Sequence, residues 1–172
     1  MSAITIILLS LLITFVFVVA GRTSFTVVQP HEAGILIVLG NYRRKLPPGV
    51  NIVPPFISMV HHINLQAQTI PFEAKNMITK DRQKVDIDGS LLLKVNQPER
   101  AFFEVTDYKK ATERLAVQTL RSVIADMDYS DIIYKNEKLG EHITTVLHEV
   151  VDEWGIDIKN FGIENVERKE YG

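Results

Sequence analysis

The sequence contains no cysteine, and this absence excludes several kinds of chemistry. Disulfide bonds, thiolate nucleophiles and zinc–cysteine sites all require a residue that the 172-residue chain lacks. A large excess of basic residues is also missing, because 19 Lys and Arg are balanced by 21 Asp and Glu, which gives a formal net charge of −2. We therefore expect no nucleic-acid partner, since such binding usually depends on a large basic surface.

The sequence also lacks the short motifs that identify common enzymes. It has no glycine-rich phosphate loop and no Gly-x-Ser-x-Gly nucleophile turn. His148-Glu149 is followed by Asp152 where the His-Glu-x-x-His zinc signature has its second histidine. Asp86 and Asp88 resemble the start of a calcium loop whose later acidic ligands are missing. The sequence thus predicts no catalytic residue, no metal site and no cofactor, and a membrane-tethered hydrolase built on Glu149 is the least favoured alternative.

Charge is absent from one long segment near the N-terminus. Residues 3–21 carry no charge and include thirteen Leu, Ile, Val or Phe residues. Nineteen helical residues are about 28 Å long, close to the thickness of the hydrocarbon core of a bilayer. We therefore predict a transmembrane anchor over residues 1–22, with these side chains in the lipid: Ile4, Ile7, Leu8, Leu11, Leu12, Phe15, Phe17 and Val19.

The positive charges nearest the anchor all follow it, beginning with Arg22 and continuing with Arg43, Arg44 and Lys45. The positive-inside rule then predicts a single-pass protein with its N-terminus outside and its domain in the cytoplasm. An alternative remains open, because Val18-Val19-Ala20 resembles a signal-peptide cleavage site. Cleavage there would give a secreted or periplasmic binding module that begins at Gly21.

Residues 23–172 are typical of one α+β domain, strand-rich over about 24–95 and helical over 96–172 with a closing strand. Apolar runs predict strands over 24–29 and 34–39 joined as a hairpin, and alternation predicts a strand over 62–68 that Pro71 terminates. A further strand alternates cleanly and places these residues on one face: Val85, Ile87, Gly89, Leu91, Leu93 and Val95.

After Pro98 the apolar spacing becomes helical. The pattern predicts a short helix over 99–105, a longer one that Asp107 caps and that ends near Asp126, and another over 136–154 that Gly155 terminates. The last strand, over 156–166, skips one residue in its apolar spacing, which predicts a β-bulge.

The stretch from Leu46 to Val60 is apolar, yet four prolines and a glycine divide it into short pieces. It follows the basic cluster Arg43, Arg44 and Lys45. One hypothesis places this cluster against anionic headgroups, with apolar side chains of the stretch at the membrane surface: Val50, Ile52, Val53, Phe56, Ile57 and Met59. The other interpretation, equally open from the sequence, is that the apolar residues are core strand ends and the basic cluster is a solvated turn.

Several motifs occur in an order that resembles the SPFH or band 7 family, and within the stomatin, prohibitin and flotillin superfamily its stomatin-like branch. The resemblance covers about residues 24–167. It is carried by these segments: residues 28–34 with Leu39-Gly40, Pro48-Gly49-Val50, residues 53–57, residues 65–69, residues 78–81, Asp107-Tyr108 with residues 119–124, and Trp154-Gly155-Ile156.

The resemblance implies an α+β domain on a membrane that assembles into homo-oligomers, organises membrane microdomains and has no active site of its own. It also implies partners, namely the lipid bilayer, other copies of the chain, and a membrane protease or a small membrane protein that the scaffold regulates. Family assembly relies on a long Ala/Glu-rich helix after the domain, a segment that these 172 residues do not contain.

Overall fold

The computed structural model describes residues 3–23 and 25–169, and of residues 20, 22 and 23 it describes the backbone alone. Ser24, where the first strand was expected to begin, lies outside the described residues. The chain divides into two compact units, Met1–Asn64 and Leu65–Gly172. Both combine helix with antiparallel strands, so the predicted α+β class is confirmed.

The first unit begins with one helix, α1, which spans Ala3–Thr23. Its polar side chains at Ser10 and Thr14 donate hydrogen bonds to carbonyls of the same helix, those of Ile7 and Ser10, each at 2.9 Å. Among the residues that the structure describes, however, no helix has the length and apolar character that crossing a membrane requires. The transmembrane span is therefore not confirmed, and it stays a prediction.

Five strands complete the first unit: β1 (Phe25–Val28), β2 (Glu32–Val38), β3 (Asn41–Leu46), β4 (Gly49–Ile52) and β5 (Ser58–Asn64). β1 and β4 form a two-stranded antiparallel sheet, and β2 lies between β3 and β5 in a three-stranded one. Both sheets contribute side chains to one apolar core: Val28, Leu36, Val38, Leu46, Val53 and Val60.

The predicted hairpin between the first two strands is wrong. The chain does turn after β1, where the Glu32 N–H donates to the Gln29 carbonyl at 3.0 Å. β2 nevertheless pairs with β3 and β5. The reason is that β2 is buried on both faces, with Ile35 fully buried on one and Leu36 nearly so on the other, which suits a central strand.

The second unit contains a three-stranded antiparallel sheet in the order β6 (Gln68–Ile78), β7 (Lys84–Val95), β8 (Ile156–Lys169). The helices of the unit are α2 (Pro98–Phe103), α3 (Tyr108–Ala125), α4 (Tyr129–Tyr134) and α5 (Asn136–Val151), and a 3₁₀ turn follows over Asp152–Trp154. The central strand confirms the predicted alternation, since the listed face from Val85 to Val95 is buried throughout.

Three local predictions in the second unit are confirmed. The Asp107 carboxylate accepts a hydrogen bond from the Lys110 N–H at 3.2 Å and so caps α3. Gly155 has a left-handed φ of 72° after the last helical turn. The register of β8 against β7 shifts between Leu92 and Leu93, whose partners are Asn160 and Ile158, so Lys159 is the bulged residue.

Two details of the second unit differ from the prediction. The predicted strand over 62–68 is divided, since residues 62–64 end β5 and Gln68 begins β6, and Pro71 does not terminate a strand but lies inside β6, opposite Ser90. Proline is tolerated there because β6 is at the edge of its sheet, where a missing N–H costs no ladder bond. The short helix α4 was not predicted, because six residues give too few turns for a recognisable apolar period.

Candidate functional site

The most unusual surface of the first unit is apolar. Beyond α1, eight large apolar side chains of its strands and loops are between 47% and 73% exposed. We call them the apolar surface: Phe25, Val27, Leu39, Val50, Ile52, Phe56, Ile57 and Met59. Single exposed apolar residues are ordinary, but such a concentration within one small unit is typical of a contact surface.

Half of the apolar surface lies on one face of the two-stranded sheet. Phe25 is paired with Ile52, and Val27 with Val50, and residues paired in this way project to the same side of a sheet. We call these four residues the β1–β4 ladder. The opposite face contributes Val28 to the core and holds Asn51, which is 8% exposed. The small sheet is therefore amphipathic.

The proline-rich stretch is held in shape by Asn51. Its side-chain amide donates hydrogen bonds to the carbonyls of Pro47 and Gly49, at 2.9 and 3.1 Å. Gly49 has a φ of 111°, a conformation that L-residues rarely adopt. The turn between β3 and β4 is thus fixed by a buried amide, and it determines that Val50 and Ile52 face outwards.

The other half of the apolar surface belongs to two loops beside the end of β2. Leu39 has a φ of 51° and Phe56 a φ of 64°, both left-handed, and the Leu39 N–H donates to the Ile57 carbonyl at 2.9 Å. A groove of about 450 Å³ lies between the loops, lined by Ile37, Leu39, Gly40, Phe56, Ile57, Ser58 and Met59. Left-handed backbone costs about 1–2 kcal/mol in a bulky residue, so these exposed side chains are displayed at a cost in stability.

The basic cluster lies on β3, which pairs with one edge of β2 while β5 pairs with the other. Arg43, Arg44 and Lys45 are exposed, and the register of β3 shifts so that Arg43 has no partner opposite it. Within residues 25–64, Arg43 and Arg44 form no ion pair or side-chain hydrogen bond. The loop of Leu39 joins β2 to β3, and β5 begins at Ser58, opposite Val38. The cluster therefore lies opposite the middle of β2, along one edge of the sheet, whereas Phe56 and Ile57 precede β5 at the end where β2 stops.

One residue of the predicted membrane surface must be corrected. Val53 is only 6% exposed and packs in the core with Val28 and Leu36. The parity of β4 explains the error, because Val50 and Ile52 point outwards and the chain continues with Val53 pointing inwards. Phe56 and Ile57, at 73% and 47% exposure, remain available at the surface.

The side chains predicted to lie in lipid all lie on α1. Val19 is half-buried. The other seven side chains are between 58% and 76% exposed: Ile4, Ile7, Leu8, Leu11, Leu12, Phe15 and Phe17. By contrast, Phe25 and Val27 were not assigned to any surface from the sequence. Their alternation with Thr26 and Val28 was a usable signal, but the strand that pairs with them was not predictable.

Asp86, one of the two carboxylates that resemble the start of a calcium loop, has partners within the fold. Asp86 accepts a hydrogen bond from the Asn76 N–H at 2.8 Å, and Lys169 Nζ lies 2.6 Å from its other carboxylate oxygen. The Lys169 ammonium and the Asn76 N–H hold the pKa of the Asp86 carboxyl below its usual value. Among the described residues, no three His, Asp or Glu side chains are grouped to hold a metal ion.

Comparison with known proteins identifies the family to which the chain is similar. The model of the SPFH domain / Band 7 family matches residues 26–171. An uncharacterized protein of Methanothermobacter thermautotrophicus is 28% identical over 93% of this chain and 50% of its own length. Proteins named stomatin homolog are 25% identical in Pyrococcus horikoshii, over 92% of this chain, and 27% in Pyrococcus abyssi, over 95%. In both, the match spans 59% of the relative's length.

Proposed function

The chain belongs to the SPFH domain / Band 7 family, and from this premise we propose that it is a membrane-anchored, non-catalytic scaffold of the stomatin-like kind. In this proposal α1 holds the chain in the bilayer, with its N-terminus outside and the residues that follow α1 in the cytoplasm. The chain then assembles with further copies, organises a membrane microdomain and regulates a membrane protease or a small membrane partner.

The observation that carries the proposal is the exposure of α1. Phe17 is 76% exposed, Ile4 69% and Leu11 68%, on a helix without charge over residues 3–21. Leaving such side chains in water is unfavourable by about 1.5–3 kcal/mol each, so the helix requires an apolar environment. Ser10 and Thr14 bond to carbonyls of the helix itself, which removes the cost of taking those hydroxyls into lipid.

The basic cluster supports contact with the headgroups of the same bilayer. Arg43, Arg44 and Lys45 are exposed, and near an anionic surface each contributes about 1 kcal/mol of attraction. Phe56 and Ile57, in the loop before β5 of the same three-stranded sheet, add exposed apolar area. The competing interpretation, corrected from a solvated turn to solvated side chains on β3, predicts that reversing these charges leaves membrane binding unchanged.

A scaffold role fits the family and the surfaces better than an enzymatic one does. The polar groups described above are engaged in capping, turns and ion pairs within the fold, as with Asp107, Asn51 and Asp86. The relatives compared above are longer than this chain, so assembly and client proteins are part of the proposal. It predicts that native membranes solubilised gently release the protein in a complex of several copies.

Flotation of the full chain with liposomes tests the lipid-binding part. We expect the protein to float with vesicles, and the triple variant Arg43→Glu, Arg44→Glu, Lys45→Glu to bind anionic vesicles more weakly but neutral vesicles unchanged. Charge reversal at Lys109, Arg121 and Lys138, three exposed residues of the second unit, is the matched control. Equal binding of both variants to anionic vesicles would remove the headgroup role of the cluster, and failure of the unmodified chain to float would remove the anchor.

A further inference from the structure

We infer that the β1–β4 ladder is itself a membrane element, an amphipathic β-ribbon whose outer face rests at the boundary between headgroups and acyl chains. The occupant of this face is the lipid of the bilayer that α1 enters. The inference rests on the proposed membrane anchor and adds to it a second point of immersion, which the basic cluster and the loops at Leu39 and Phe56 do not include.

The chemistry of the ribbon indicates that its outer face is covered. Its four side chains are 59–70% exposed, and they form two direct cross-strand pairs, Phe25 with Ile52 and Val27 with Val50. A two-stranded ribbon is marginally stable in water when it exposes its apolar face. The opposite face is already used by Val28 and Asn51, so only the outer face is available for contact.

Chain connectivity favours lipid over a protein partner. α1 ends at Thr23 and β1 begins at Phe25, so a single residue separates them. Two residue steps span at most about 7 Å. A ribbon attached this closely to an inserted helix must lie near the bilayer surface, where its apolar face reaches lipid without any further assembly.

Backbone hydrogen bonding limits how deep the ribbon lies. β1 and β4 pair only with each other among the described strands, so each has an outer edge with unpaired N–H and C=O groups. Such edges are not tolerated in the hydrocarbon core, whereas headgroups and water satisfy them at the interface. We therefore place the side chains of the ladder at the top of the acyl region and the ribbon backbone among the headgroups.

The absence of cysteine makes a direct test possible, because every introduced cysteine is the single labelling site of the full chain. We would attach an environment-sensitive fluorophore at Val27→Cys, Val50→Cys or Ile52→Cys and reconstitute each variant in vesicles. Thr26→Cys, half-buried on the core-facing side of β1, is the control for a label that reaches neither lipid nor water. Leu11→Cys on α1 reports the anchor, and Tyr134→Cys, at a side chain that is 86% exposed in the second unit, reports water.

The inference predicts blue-shifted emission and quenching by nitroxide lipids at residues 27, 50 and 52, little quenching by lipid or iodide at residue 26, and iodide quenching at residue 134. If residue 11 is quenched by lipid while 27, 50 and 52 are quenched by iodide, the ribbon inference fails and the anchor stands. If residue 11 is also quenched by iodide, both fail. Disulfide-linked dimers through residue 50 that form equally well without lipid would show that a second copy covers the face, and would overturn the inference.

Discussion

The side-chain amide of Asn51 lies 2.9 Å from the carbonyl oxygen of Pro47, across the turn that joins β3 to β4. The same amide reaches the Gly49 carbonyl at 3.1 Å. This pair of hydrogen bonds connects the proline-rich stretch to the surface it displays, because the turn sets which residues of β4 face outwards. The display of Val50 and Ile52 therefore depends on a buried polar side chain on the opposite face.

Replacing Asn51 with alanine should destabilise the ribbon. The substitution removes two hydrogen bonds from a nearly buried site, and we expect the free energy of unfolding to fall by about 1–3 kcal/mol. Faster hydrogen exchange at the amides of β1 and β4 is the measurement. Asn41→Ala is the control, because its exposed amide makes only one long bond of 3.5 Å, and its effect should stay below about 0.5 kcal/mol. Equal effects of the two substitutions would contradict the role given to Asn51.

Relieving the left-handed backbone at Phe56 should separate stability from membrane binding. Asparagine adopts a φ near 64° more readily than phenylalanine, so Phe56→Asn is expected to raise the free energy of unfolding by about 0.5–1 kcal/mol. The same change removes an exposed apolar side chain and should weaken vesicle binding. Chemical denaturation and flotation measure the two effects. Phe103→Asn, at an exposed helical position, should bring no gain in stability, and a similar gain there would refute the strain argument.

Gly89 is required by close packing between β7 and β8. A Cβ at this position would lie 2.2 Å from the Gly162 carbonyl oxygen and 2.7 Å from the Phe72 ring. That ring is stacked on Phe161 at 4.6 Å, so it has little room to move. We expect Gly89→Ala to lower the free energy of unfolding by about 3 kcal/mol, measured by urea denaturation with Trp154 fluorescence.

Gly162→Ala is the matched control for Gly89, because the nearest atoms to a Cβ there are 3.7 Å away. Its effect should stay within about 0.5 kcal/mol. If Gly89→Ala were equally mild, the two strands would have to be further apart than the structure has them.

The ion pair of Asp86 with Lys169 predicts a dependence of stability on pH. The Lys169 ammonium and the Asn76 N–H lower the pKa of Asp86 in the folded chain, so the folded state binds its proton less readily than the unfolded state does. The contribution to stability is therefore present above the unfolded pKa of about 3.9 and is lost as the pH falls through the lower folded value. Asp86→Asn should be less stable than the unmodified chain at pH 7, and the difference should shrink below about pH 4. Glu73→Gln is the control. Its pair with Lys75 is exposed on both sides, so water screens it and the change in stability should be smaller. A difference that persists unchanged at low pH would exclude the ion pair as its cause.

Local patterns predicted the second unit well. The alternation from Val85 to Val95, the Asp107 cap and the Gly155 terminus each depend on residues close in sequence, and each is confirmed. The first unit was harder, because its pairings are long-range. Nothing near Phe25 in the sequence specifies that Ile52 is its partner and that β2 lies elsewhere.

The candidate surface shows the same limit. Arg43, Arg44, Phe56 and Ile57 are exposed as a surface role requires, since charge and proline-stiffened loops are readable from the sequence. Val53 was misplaced because the inward or outward direction of the side chains in β4, and of the residue that follows it, depends on the turn that Asn51 fixes. A shift of one residue in a strand reverses every side chain, and only the tertiary structure determines that parity.

Alkaline carbonate washing of native membranes tests the central claim, that α1 holds the chain in the bilayer, most directly. The account predicts that the full-length protein stays in the membrane pellet, together with integral proteins, and that its N-terminal sequence still includes residues 3–21. Release of the protein into the carbonate supernatant, or a mature chain that begins at Gly21, would contradict the account.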